Sequence, residues 1–346
     1  DREPRKVDSC RRRMAGALQL IHNTADRRKR MTVKERLEFY VNSYDLIGGG
    51  LYGVGPQKKI GDPTNRLCRF CEKGKDVTTF RNVAHAIPEC LGNKQLILLD
   101  ECDTCNKFFS ETLEDHLDKF TKPFRTIAQI KGKRSVPSYK SRDKKSRVDF
   151  DRVLKMTAQI DSHFIQDNDT NNQFVINMDM EPYVPAAVYK ALVKIALSII
   201  EDRNELPAFK HTIEWIRDPD HSRMMIKPLT MLVTFIPGPN PNVATTTMLF
   251  RKKEGTKVPH SLFLLAFGNF IYQIIVPSHF DARSGETLTC SLPFFPSPFD
   301  IDWPYGQSRY GITDLSNHQR VLRSVPLSMH YDQKIEIPVQ NKGEGS

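Results

Sequence analysis

Two short cysteine pairs constrain this chain more than any other feature: Cys68-x2-Cys71 and Cys102-x2-Cys105. Each pair sets two sulfurs on one side of a tight turn, and four sulfurs so presented suit one tetrahedral Zn2+. The spacing predicts a single structural zinc that ties the two turns together. A redox CxxC is the competing reading, but two pairs flanking one short segment argue for a shared ion. Cys10, Cys90 and Cys290 stand alone and read as small buried apolar residues or ordinary thiols. An odd total of seven cysteines in a long basic chain argues against a secreted disulfide framework.

The rest of the composition sets the class. The 346 residues are 39% hydrophobic and 27% charged, too apolar for a wholly disordered chain and long enough for two or three cores. The longest apolar run, residues 262–267, is strand-sized, so no membrane span is expected. The opening DREPRK, followed by Arg11–Arg13, lacks the long apolar core of a secretory signal, and the expected location is cytoplasmic. A chain that opens on Asp1 rather than Met reads as a fragment or a processed form. The formal charge is +10 and is unevenly placed: residues 1–36 carry +7 and residues 131–147 another +7, leaving −4 for the remainder. Such clustering is the footprint of a polyanion-binding surface, with a solvated linker as the plainer alternative. Tyr139, lying among the second set of cations, could stack on a base.

The chain divides into four parts. Residues 1–65 read as a basic helical segment and a glycine-rich linker. The spacing predicts a helix over 31–43, with apolar positions Val33, Leu37, Tyr40 and Val41, Thr32 as N-cap and Glu35 completing a capping box. The run GGGLYGVG at 48–55 lacks a following GK[ST] and reads as a flexible connector rather than a phosphate cradle. Residues 66–125 hold the cysteines, residues 126–150 form a basic linker, and residues 151–340 an α+β accessory domain. In the last, a buried helix is expected over 188–200 and a second over 208–216. Strands are expected over 231–236, 245–251, 261–267, 271–277 and 287–292, and a disordered tail over 341–346.

Between the cysteine pairs the order is knuckle, strand, histidine, loop, strand, knuckle, helix. Thr78 to Ala84 reads as a strand ending at His85, Pro88 breaks the pairing, Leu91-Gly92-Asn93 turns, and residues 95–99 form a second strand. The helix that opens at the second knuckle has Phe109, Leu113, Leu117 and Phe120 at helical spacing, with Glu111, Glu114, Asp115 and Asp118 on its polar faces. A zinc clamp there would hold His85 and Asn106 at the same end of the unit.

In these residues (Cys68–Cys71, Ala84-His85-Ala86-Ile87-Pro88, Leu91-Gly92 and Cys102-Asp103-Thr104-Cys105-Asn106) the sequence resembles the HNH (ββα-metal) endonuclease family, in its zinc-containing treble-clef form. The resemblance covers residues 66–121. It implies a treble-clef nuclease domain, and with the separate, mostly antiparallel domain read from residues 151–340 the expected fold class is α+β. It implies that His85 is the general base and that Asn106 binds a catalytic divalent cation, usually Mg2+. Asn93 falls near the middle, histidine-orienting position. Many members carry Asp or Glu directly before the base histidine; here that position is Ala84. Glu114, Glu89 and Asp103 are the candidates to supply the missing oxygen. His116 lies within the helix and reads as a surface residue.

The residue types suit phosphodiester hydrolysis. An imidazole that titrates near neutrality takes a proton from water, amide and carboxylate oxygens suit a hard divalent cation, and a rigid clamp keeps the two in register. By family analogy the products are a 5′-phosphate and a 3′-hydroxyl. The expected partner is nucleic acid, most of all DNA, gripped by the basic segments. The accessory domain would select a target or partner, or sense a ligand that gates cutting, with bacterial restriction or phage defence as the analogous setting. One site per chain and cleavage of both strands imply a homodimer. The alternative is a non-catalytic, zinc-stabilised nucleic-acid-binding protein, which Ala84 favours.

Overall fold

The computed structural model describes residues 31–331 apart from 54, 152, 160–161, 169, 171 and 282–291. In chain order the first elements are α1 (Val33–Ser43), β1 (Tyr44–Tyr52), β2 (Lys58–Ile60), β3 (Ala84–His85) and β4 (Leu96–Leu98). Then come α2 (Asp103–Phe109), a π-helical turn (Ser110–Glu114) and α3 (Asp115–Ile127), which follow one another without a break. Two small antiparallel sheets use β5 (Tyr139–Lys140), β6 (Arg147–Asp151) and β7 (Val153–Thr157), and β8 (Ile165–Asn168) with β9 (Gln173–Asp179). The C-terminal region adds α4 (Pro185–Ser198), a 3-10 turn (Arg203–Phe209), α5 (Lys210–Ile216), β10 (Thr230–Phe235), β11 (Asn242–Lys252), β12 (Ser261–Gly268), β13 (Phe270–Ile275), β14 (Arg309–Asp314) and β15 (Ser324–His330). β15 completes the sheet of β8 and β9.

The large sheet is antiparallel and runs β1-β11-β12-β13-β10-β14. Every residue of α4 is buried. The apolar residues of this helix join the sheet's inner face and the cysteine-bearing region in one continuous core, from Phe70, Phe109 and Leu117 through Leu192 to Phe263 and Tyr272. The expected helix over 188–200 and the first four expected strands of the region are therefore present, with ends displaced by a few residues. The strand expected over 287–292 and the tail lie outside the described residues, except Leu292. So do Cys10, Cys290 and most of the first basic segment. No described helix is long and apolar enough to cross a membrane.

Three expectations change. First, the glycine-rich run is not a connector: Gly48–Tyr52 belongs to β1, the edge strand against β11, with a register shift between Leu46 and Gly48. Gly49 has φ +122°, and a Cβ there would lie 2.1 Å from the Thr247 carbonyl oxygen, so the glycine permits an approach that a side chain forbids. Second, α1 keeps its capping box, with Thr32 Oγ1 accepting from Glu35 N at 3.2 Å and Thr32 N donating to Glu35 Oε2 at 2.7 Å. It buries Arg36 and Tyr40, however, while Leu37 and Val41 stay exposed. The buried face is chosen by polar anchors: Arg36 pairs with Asp300 at 2.8 Å, and Tyr40 donates to the Pro293 carbonyl at 2.5 Å. Third, Tyr139 is not a free stacking surface. Its ring is buried against Phe164 at 5.5 Å, and its hydroxyl accepts from the Asp179 amide at 2.8 Å.

Candidate functional site

The four cysteines converge. Their sulfurs all lie within 4.8 Å of one another, and no other group of three or more His, Cys, Asp or Glu side chains does this among the described residues. Cys68 and Cys71 sit on a knuckle closed by Cys68 N to Lys73 O at 3.0 Å and Glu72 N to Cys68 O at 2.9 Å. Cys102 is the N-cap of α2, and Cys105 lies one turn in. Cys71 Sγ is 3.6 Å from Cys102 Sγ, close to the sulfur–sulfur edge of about 3.8 Å that a tetrahedron with Zn–S bonds of about 2.3 Å requires. Cys68 is drawn down to about 5 by the Cys105 thiol and by backbone amides, whereas burial pushes Cys71 up to about 11. Four thiolates so confined need a cation to neutralise them, and the donor set is that of structural zinc.

Asp103 completes the clamp. Its carboxylate accepts from Thr79 Oγ1 at 2.5 Å, Arg81 N at 3.1 Å and Asn82 N at 2.8 Å, tying the strand approach to the start of α2. Its oxygens are thereby committed to the fold, which removes it from the candidates for the oxygen missing at Ala84. Ala84 itself is buried in the core.

His85 ends β3, opposite Ile97 of β4. The side chain is 20% exposed, its Nε2 lies 3.9 Å from Glu89 Oε1, and its Nδ1 is buried without a hydrogen-bond partner among the described residues. Burial holds the imidazole below the ordinary histidine value. Glu89 opposes the shift, Lys194 adds to it, Glu114 opposes it and Lys133 adds to it. The loop after His85 is organised by Asn93, which is fully buried. Its Nδ2 donates to the Ile87 carbonyl at 2.8 Å, and its Oδ1 accepts from Gln95 N at 3.1 Å and Leu96 N at 3.0 Å. With its amide so bound, Asn93 positions the β3–β4 backbone and is not a group that touches reacting atoms.

Glu114 closes the π-helical turn, and its charge acts on His85. A single inserted turn of this kind re-aims side chains and is frequent at functional sites. Its Oε1 accepts from Lys194 Nζ at 3.0 Å. Lys194 also lies 3.1 Å from Glu101 Oε2 and donates to the His85 carbonyl at 3.4 Å. The structure thus gathers the His85 carbonyl, Glu101 and Glu114 around one lysine of α4, while Glu89 meets the His85 ring at 3.9 Å. Asn106 is partly buried in α2, directly after the last cysteine and two turns before Glu114. His116 is buried rather than exposed, its Nδ1 accepting from the Val184 amide at 3.3 Å.

Lys194 and Glu101 are the participants that sequence reasoning missed. The available signal was a pair of lysines, Lys190 and Lys194, at i and i+4 in an otherwise apolar helix. Beside the site lies part of the second basic segment. Lys131, Lys133 and Arg134 are exposed, Lys94 Nζ donates to the Lys133 carbonyl at 3.1 Å, and the Lys133 charge is felt at His85.

A four-cysteine cluster thus pins a hairpin to a helix, with a histidine at the strand end. Residues 68–121 match the family model described as HNH endonuclease, and the match places this stretch, about a sixth of the chain, in that family. The family implies nucleic acid as substrate. No curated protein and no solved structure matches the chain.

Proposed function

We propose that the protein is a metal-dependent endonuclease that hydrolyses phosphodiester bonds in DNA, with His85 as general base and Asn106 and Glu114 as protein ligands of a hard divalent cation, Mg2+ foremost. The observation that carries this reading is the juxtaposition of a partly buried, neutral-leaning imidazole with Glu114 on the clamped helix. A neutral imidazole accepts a proton from the attacking water, and burial keeps His85 in that form at neutral pH. A divalent cation, when bound, would neutralise charge on the leaving oxygen. Asn106 and Glu114 offer it an amide and a carboxylate oxygen, a donor set that suits Mg2+, which keeps several waters and leans on substrate phosphates. Lys131, Lys133 and Arg134 would contact phosphates flanking the scissile bond, a reading supported by their exposure, which suits salt-dependent backbone contact.

The C-terminal domain would select a target, a partner or a signal, in a cytoplasmic protein of bacterial restriction or phage defence that acts as a homodimer. A non-catalytic zinc-stabilised DNA binder is the second reading, and the buried Ala84 favours it. Plasmid nicking with Mg2+ separates the two. Wild type should nick, and His85→Ala should lose about 10²–10⁴-fold in rate, the usual worth of a general base, at unchanged zinc content. No nicking by either would favour the binder, and equal rates in both would remove His85 as the base.

A further inference from the structure

We propose that Lys194 is a positioning residue of the nuclease site, contributed by the C-terminal domain: from α4 its ammonium ties Glu114 on the helical arm to the backbone of His85 on the strand arm. The inference rests on the reading of His85 as base. The geometry is that of a bridge. Nζ lies 3.0 Å from Glu114 Oε1, 3.1 Å from Glu101 Oε2 and 3.4 Å from the His85 carbonyl oxygen, and the side chain is 1% exposed. These three oxygens belong to three separate parts of the nuclease unit: the π-helical turn, the residue before the second knuckle, and β3. The zinc clamp fixes the root of the helix at Cys102 and Cys105, but Glu114 lies about two turns further on, at the end of a π turn. The lysine supplies the restraint there.

A buried ammonium between two carboxylates is costly unless its hydrogen bonds are satisfied. Here Glu114 and the His85 carbonyl accept from it, Glu101 pairs with its charge at 3.1 Å, and the Phe109 ring lies 5.9 Å from it. Because Lys194 is buried, it does not meet the nucleic acid. Its loss should therefore reach the chemistry through geometry: a displacement of about 1 Å at a reacting group costs on the order of 10²-fold in rate.

The test compares full-length variants in plasmid or oligonucleotide cleavage, with kcat and KM measured separately and with zinc content and thermal midpoint as checks on the fold. Lys194→Met alone strands two carboxylates and risks misfolding. The double variant Glu101→Gln/Lys194→Met removes the buried pair together and leaves Glu114, which has access to water, to solvate itself. The double variant should keep one zinc per chain and the wild-type KM for DNA but lose on the order of 10²-fold in kcat, while Lys194→Arg, which keeps the charge, should recover most of it. A double variant within threefold of wild-type kcat would overturn the proposal, as would a loss confined to KM. His85→Ala run alongside separates the two readings: if it cuts like wild type, the assignment of the base fails; if it is dead while the double variant is fully active, only the role of Lys194 fails.

Discussion

The first knuckle is locked to the end of α4 by one arginine, and removing it tests whether the nuclease unit and the C-terminal region fold as one body. Arg69 and Asp100 have side chains 0% and 1% exposed. The guanidinium bonds Asp100 twice, at 2.9 and 3.1 Å, and donates to the carbonyls of Leu197, Ser198 and Ile200 at 2.7, 3.1 and 3.1 Å, closing the C-terminus of α4. In Arg69→Met the apolar stem is kept and all five bonds are lost. Stranding one partner of a buried pair costs about 3–5 kcal/mol. Arg203 also bonds Asp100, which places the cost near the lower end. The orphaned helix-end carbonyls add about 1 kcal/mol each where water cannot reach them. A total of about 6 kcal/mol corresponds to a fall of about 8 °C in Tm for a chain of this length, at about 2.1 cal/mol/K of unfolding entropy per residue. Urea unfolding should be followed by two probes, the fluorescence of the buried Trp215 beside α4 and zinc release to a chromogenic chelator. Both transitions should move together to lower urea. A shift in zinc release with Trp215 unmoved, or a loss below about 1 kcal/mol, the size of an ordinary surface change, would refute the shared core.

Three further outcomes follow from the site. Cys105→Ser should abolish stoichiometric zinc by elemental analysis and lower the thermal midpoint; full zinc retention would remove the cysteine cluster as the metal site. Since burial lowers the His85 pKa and the base must be neutral, the rate should fall only as pH drops through a value below the usual 6.5, and stability should decline over the same acid range because the unfolded chain takes up the proton first. A rate profile whose acid limb lies above 6.5 would contradict the environment described for His85. Lys131→Gln with Lys133→Gln should reduce the slope of log Kd against log salt by about 1.8 for duplex DNA, two phosphate contacts at about 0.9 each, as measured by fluorescence anisotropy; an unchanged slope would place the DNA elsewhere.

The zinc knuckles, the strand-end histidine and the amphipathic helix were legible because each is a local spacing. A CxxC pair, a proline after a strand and a 3.6-residue period need no distant partner to be interpreted. What was not legible depends on partners far along the chain. The glycines of β1 look like a connector until β11 is seen to need their close approach, about 200 residues later. Leu37 and Val41 look like the buried face of α1 until Arg36 finds Asp300. Asp103 looks like a ligand until its oxygens are seen to be spent on the Thr79 hydroxyl and the Arg81 and Asn82 amides. Lys194 is the extreme case. A lysine inside an apolar helix is read as a solvated interruption, because nothing local shows that two carboxylates and a strand carbonyl wait for it 80 to 109 residues upstream.

That dependence bears on how the C-terminal domain can influence cutting. An accessory domain joined by a flexible tether would act by recruitment, raising the local concentration of DNA without altering the site. This one is joined otherwise. α4 is buried along its whole length, its C-terminus is capped by Arg69 of the first knuckle, and Lys194, one turn before that end, touches both arms that carry the proposed chemistry. The same helix packs against the large sheet through the continuous core. A ligand or partner that shifted this sheet would have to move α4, and moving α4 breaks either the Arg69 cap or the Lys194 bridge. Packed cores change between discrete arrangements rather than deforming smoothly. If the C-terminal domain is a sensor, the physics therefore favours a switch in the geometry of His85 and Glu114, read as a change in kcat, over a graded change in DNA affinity.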